Sequence, residues 1–181
     1  MAVNLITAPT EEALSIDDAK SFLGIEGTDD DARIERLIVS ARQAFEVFCN
    51  RALISSTWEL VLDWFPCCDI RIPALVSVTS LKYLDTAAAE QTLAATYYRV
   101  TAAGTDGGIG RVQLRYGQSW PSIYSEQDAV TLRYVAGWSD ADAVPERVKD
   151  GMRAYVAEQY DGTDRSAVYE NLWWTYRIVP I

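Results

Sequence analysis

Residues 29–66, DDDARIERLIVSARQAFEVFCNRALISSTWELVLDWFP, decide the fold, because the spacing of the apolar residues changes inside them. Ile34, Leu37, Ile38, Ala41, Ala44, Phe45 and Phe48 recur at steps of three and four, the stripe of an amphipathic helix. Arg33, Glu35, Arg36, Arg42, Gln43 and Glu46 take the remaining positions, which predicts a polar outer face. The three aspartates at the start offset the helix dipole, and Thr28 or Asp29 is expected to cap the free N–H groups. Such a helix is roughly 30 Å long at ~1.5 Å per residue. After the polar corner Cys49–Leu53 the step falls to two. Trp58, Leu60, Leu62 and Trp64 share one parity and are expected to face inward, with Thr57, Glu59 and Asp63 opposite. A helix therefore turns directly into a half-buried strand that stops at Pro66.

Upstream, residues 1–14 read as an extended leader. Ser15 with Asp18 forms a weak capping box, Ile16, Ala19, Phe22 and Leu23 follow at helical spacing, and Gly24 stops a short first helix. Downstream, Ile70 and Ile72, then Val78, Leu81 and Tyr83, then Tyr97–Val100, then Val112, Leu114 and Tyr116, and finally Ala129–Val135 alternate like short strands. Asp85–Gln91 reads as a turn and Gly104–Gly110 as a hairpin connection. The helical period returns after Gly137, with Pro145 and Glu146 opening a helix whose face is Val148, Met152, Tyr155, Val156 and Gln159. Asp161–Asp164 interrupts it. The expected fold is α+β: a small helical bundle from both chain ends (15–54 and 137–170), an antiparallel β insert (55–136) and a C-terminal docking tail (171–181).

Composition narrows the function classes. The chain has 181 residues, is 49% hydrophobic and carries six tryptophans, enough for a real core. Its net charge of −10 argues against nonspecific adhesion to nucleic acid or anionic membranes. Residues 1–50 hold ten acids and four bases, 51–136 eight and seven, and 137–181 eight and five, so the acid gathers toward the ends. Cys49, Cys67 and Cys68 give an odd count without a CxxC pair, which suits a reducing compartment. No signal peptide or membrane-spanning run is present in the sequence, so a soluble protein made in the cytoplasm is expected.

Candidate chemistry fares poorly. The absence of histidine removes Ser-His-Asp and Cys-His triads, and Cys67–Cys68 alone falls short of a zinc set. Asp29–Asp31 lacks the spaced acids, glycine and glutamate of a calcium loop, so a charged helix start explains it. Gly104–Gly110 runs into an alternating segment rather than a helix, unlike a phosphate loop. Neither a catalytic residue nor a cofactor or metal site is assigned. Trp120 and Trp138 lie beside turns, and if exposed and coplanar they would support an alternative, a carbohydrate-binding or host-recognition module on the β insert. Trp173 and Trp174 are adjacent near the end of the sequence. Both cannot face inward from one element, so one is expected outside unless another surface covers it, and the tail either anchors a partner or folds back on its own domain.

The pieces Asp30–Ile38, Asn50–Ile54, Thr57–Leu60 and Asp63–Pro66, then Val76–Tyr83, Tyr98–Val100, Tyr116–Pro121, Tyr134–Trp138, Val144–Glu146 and Tyr176–Ile178, occur in an order and spacing that resembles the head–tail connector (adaptor) proteins of tailed bacteriophages and gene transfer agents. The resemblance implies a non-enzymatic virion protein of the head–tail neck. It implies partners as well: a portal protein, neighbouring copies in a closed ring of about twelve, and a downstream neck, stopper or tail protein. DNA would pass through the ring without sequence-specific binding, along an acidic wall that repels phosphate. No membrane is involved. By the same resemblance Leu172, Trp173, Trp174, Tyr176, Arg177 and Ile178 would dock onto the portal, and Asp30, Arg33, Arg36 and Arg42 on the long helix are candidates for ring contacts.

Overall fold

The local signals around the first helix translate directly into structure. The Ser15 hydroxyl oxygen accepts from the Asp18 N–H at 3.1 Å while its O–H donates to the Asp18 carboxylate at 2.7 Å, and α1 runs Ile16–Leu23. Gly24 ends it in the left-handed region at φ 68°, where a Cβ would be strained. Only Ala19 of the predicted stripe is fully buried. Phe22 is 54% exposed, a departure from the expected face, because at ~3.6 residues per turn it lies about 120° around the helix from Ile16, at the edge of the stripe.

The computed structural model describes residues 2–66, 69–101 and 108–178. Cys67, Cys68, most of the Gly104–Gly110 loop and residues 179–181 of the tail lie outside the described residues. The described fold is α+β, with four α-helices and two antiparallel sheets. It divides into two compact units, one made of Thr10–Ile54 and Trp138–Ile181, the other of Met1–Pro9 and Ser55–Gly137.

In the helical unit the long helix α2 spans Asp31–Cys49 and ends at Asn50, whose φ of 52° uses the tolerance of asparagine for the left-handed region. The predicted cap moves: Asp30 takes the N-cap position, and its side chain makes no capping bond. Ile34, Ile38, Ala41 and Phe45 are buried as the spacing requires, with Leu37, Ala44 and Phe48 half-buried beside them. Helix α3, Glu146–Asp161, adds Val148, Met152 and Val156 to the same core and stops at Gly162 with φ 76°. A further helix, α4 (Ser166–Trp173), and a 3-10 turn (Trp174–Tyr176) follow. The two chain segments that close this unit meet where the Trp138 N–H donates to the Leu53 carbonyl at 2.8 Å, in an isolated parallel bridge between Ile54 and Trp138.

The β unit holds a five-stranded antiparallel sheet ordered β1-β2-β8-β4-β5: β1 Ala2–Thr7, β2 Ser56–Leu62, β4 Leu75–Leu84, β5 Glu90–Thr92 and β8 Val130–Ala136. The first residues, read as an extended leader, pair with β2 as an edge strand, Val3 opposite Leu60 and Leu5 opposite Trp58. Part of the stretch read as a turn forms the short β5. Because β2 ends at Leu62, its parity no longer governs Trp64, which is 68% exposed instead of inward. For the same reason Tyr116, two residues past its strand, stands in solvent. A second antiparallel sheet, ordered β3-β7-β6, comprises β3 Asp69–Pro73, β6 Tyr98–Thr101 and β7 Ile109–Leu114. Gly110 lets the two sheets touch: a Cβ there would lie 2.3 Å from the Leu75 Cβ.

Candidate docking surface of the helical unit

The tail is built onto the C-terminal end of α2. Trp173, 1% exposed, lies edge-on to Phe45 with ring centroids 5.5 Å apart and beside Tyr169 at 5.1 Å. Its indole N–H donates to the Val148 carbonyl at 3.1 Å, so the buried polar atom is satisfied. The ring reaches that carbonyl only because residue 151 is glycine. A Cβ at Gly151 would sit 2.1 Å from the indole Nε1. Sequence reasoning missed this residue, and its one signal was a glycine in the middle of a strong helical pattern.

Trp174 points the other way and is 62% exposed. It leans on Phe48 with centroids 6.4 Å apart, and the Arg177 guanidinium lies 5.3 Å from the centroids of both rings. Tyr176 meets Trp138 edge-on at 6.1 Å, and the Ile178 N–H donates to the Cys49 carbonyl at 2.9 Å, closing an open carbonyl at the end of α2. Leu172 is half-buried against the same core, and the Arg147 Nε–H holds its carbonyl at 3.1 Å. The predicted segment thus alternates, with Trp173 and Tyr176 packed on their own unit and Trp174 and Arg177 presented to solvent. Val47, 83% exposed, borders an open groove of about 460 Å³ whose walls include Ala44, Phe48, Tyr155, Tyr169 and Trp173.

The α2 residues nominated as ring contacts separate in the same manner. Asp30 accepts the Tyr160 hydroxyl at 2.7 Å, and Arg33 donates to the Tyr160 carbonyl at 3.0 Å with its guanidinium 4.4 Å from that ring. Arg42 corrects the expected polar face. It is 6% exposed and bonds both Glu12 oxygens at 3.0 and 3.1 Å and Glu46 at 3.2 Å. A guanidinium can sit there because its two carboxylate partners arrive with it. Arg33 and Arg36 are both exposed, and Arg36 makes none of these bonds.

Burial raises several titratable groups packed behind this surface. Burial pushes the Cys49 thiol up to about 12, so it stays protonated at neutral pH. Burial first, then the nearby Glu158, raises the Tyr169 hydroxyl to about 12. Glu46 is raised by burial although the Leu53 N–H and Arg42 pull the other way. Among the described residues no three metal-ligating side chains gather, and no helix is long and apolar enough to cross a membrane. The glycan alternative loses its platform. Trp138 is 1% exposed inside the helical unit, and Trp120 has one face covered by Phe65, stacked at 4.5 Å with an interplanar angle of 1°.

A family profile described as phage gp6-like head–tail connector protein matches residues 13–106. Three solved structures contain chains of similar fold. The neck of an empty gene transfer agent particle computed with C6 symmetry and the virion of a native gene transfer agent particle each give a TM-score of 0.81 at 23% identity. The neck of the native particle computed with C12 symmetry gives 0.80 at 22%. Each likeness covers 100% of this chain and 97% of the other, and at this identity it is one of fold. No curated protein matches the chain.

Proposed function

The chain belongs to the phage gp6-like head–tail connector family, and from that premise we propose that it is a structural adaptor of the virion neck, assembling as a ring on a portal protein. In that role it extends the channel for DNA and offers a platform to the next neck or tail protein. Trp174 carries the docking part of this reading: an indole 62% exposed, braced by Phe48 and Arg177, next to a neighbour locked in the core. An exposed aromatic on a rigid base loses little entropy when buried by a partner, which is how hot-spot residues act. Residues 172–178 dock onto the portal through this outer face, while Trp173 and Tyr176 hold the face in position. Arg36 on α2 is left for a neighbouring copy or the channel. Binding to the ring is multivalent, so a weak single contact suffices.

The test is co-sedimentation with the cognate portal. A Trp174→Ala, Arg177→Ala double variant keeps the core intact and is expected to lose portal binding, as is a chain truncated after Asn171. Portal binding unchanged in the double variant would overturn the docking assignment.

A further inference from the structure

We propose that the outer face of the three-stranded sheet is the contact by which one copy grips the acidic α1–α2 corner of the next, a head-to-tail interface that rests on the adaptor reading. The register places Arg71 opposite Arg111 and Thr101 opposite the same Arg111, while Asp69, Gln113 and Arg99 line up in the next row. Cross-strand partners share a face. One side of this sheet is therefore Ile70, Ile72, Val112 and Tyr98, all buried, and the other presents Arg71, Arg99 and Arg111, all exposed. Two guanidiniums directly opposite each other repel. They are held by a single carboxylate, Asp69, at 3.4 Å from Arg71 and 3.6 Å from Arg111, and Arg99 donates to Gln113 at 3.1 Å. The sheet has three arginines against one aspartate in a protein of net charge −10.

The complementary surface lies on the same chain. The two segments of the helical unit hold eighteen acids against ten bases, the β unit eight against six. The excess peaks at residues 15–31, with six acids and one lysine, and Lys20 is already taken by Asp31 at 2.7 Å. Asp17, Asp18, Glu26 and Asp29 are exposed there, and Phe22, 54% exposed among them, supplies an apolar anchor. Different patches on the two partners make the contact heterologous, the type that closes into rings. Duplex DNA is the poorer fit. Three arginines around a central carboxylate make a short, interrupted phosphate track on a strongly acidic protein.

The experiment uses the full chain. Arg71→Lys, Arg99→Lys, Arg111→Lys keeps the charge and supplies amines. Carbodiimide coupling of a mixture of isotope-labelled and unlabelled protein then reports inter-chain contacts by mass spectrometry. Hybrid products joining positions 71, 99 or 111 to carboxylates between 17 and 29 are expected, falling about tenfold between low and high salt. In the wild-type background, Arg71→Glu, Arg99→Glu, Arg111→Glu should abolish salt-sensitive self-association in sedimentation. Asp17→Lys, Glu26→Lys, Asp29→Lys should do the same, and mixing the two variants should restore it. Absence of hybrid products, products mapping elsewhere, or association indifferent to reversal overturns the contact. Retention of duplex DNA by the wild type, lost on reversal, also overturns it, in favour of nucleic acid. The portal assay reads the adaptor assignment separately, because the Trp174 variant leaves every residue of this contact in place.

Discussion

Arg42 of α2 and the arginines of the three-stranded sheet sit on equally regular elements, yet they have opposite fates. Arg42 is enclosed by two carboxylates from its own unit, and Arg33 is occupied by Tyr160. Arg71 and Arg111 share one carboxylate and keep nearly half of each side chain in solvent. A buried charge must be matched on the spot, whereas an exposed one can be left under-matched at little cost. The comparison teaches that arginine on a helix facing a core reports stability. Arginine on the outer face of a sheet contributes little to stability and stays free to meet solvent or another surface.

Arg42→Ala is the sharpest way to break that contrast. It strands Glu12 and Glu46 and should cost roughly 3 kcal/mol in denaturant unfolding. A loss under about 1 kcal/mol would mean that the buried pair relaxes freely into water. Gly151→Ala comes next, at roughly 2 kcal/mol, since the new methyl must displace the Trp173 indole. Trp fluorescence should report the displaced ring, and an unshifted spectrum with unchanged stability would contradict the close approach. Arg71→Ala and Arg111→Ala should each stay within about 0.5 kcal/mol in the same unfolding measurement.

The smallest effect lies at the exposed turn after α3, where Arg165 donates to both Asp161 oxygens at 2.7 Å and holds that carboxyl well below its ordinary value. A depressed folded-state value means that the stabilisation is present above the unfolded carboxylate pKa and disappears as pH falls through the folded one. Hydrogen exchange at residues 162–166 should therefore accelerate from about pH 5 toward about pH 2, after correction for intrinsic rates. Asp161→Asn should show the faster exchange throughout. A pH-independent wild type would remove the pair from the account.

Much of this was legible before the structure. The Ser15 cap, the Gly24 stop, the α2 stripe and the alternating strands around Leu60, Ile70 and Leu132 are local patterns, and local chemistry decides them. Misread positions depend on partners distant in sequence. Arg42 looks like a surface residue until Glu12, thirty residues earlier, folds beside it, and β1 is a strand only because β2 pairs with it. Strand parity placed Leu60, left Trp58 and Leu62 half-buried like their opposite-parity neighbours, and failed at Trp64, where the strand had already ended. At the candidate site, adjacency predicted that one of two tryptophans must be outside. Only packing against Gly151 decided which.

That adjacency has a mechanical consequence. A pull taken up at Trp174 crosses one peptide bond to Trp173, whose ring is wedged among Phe45, Tyr169 and the Val148 carbonyl. The Ile178–Cys49 bond, one residue beyond Arg177, ties the far side of the same short segment to the end of α2. The segment that carries Trp174 is thus moored at both ends. A load applied at Trp174 would therefore pass into the core and the end of α2 together, instead of peeling the segment away from one end.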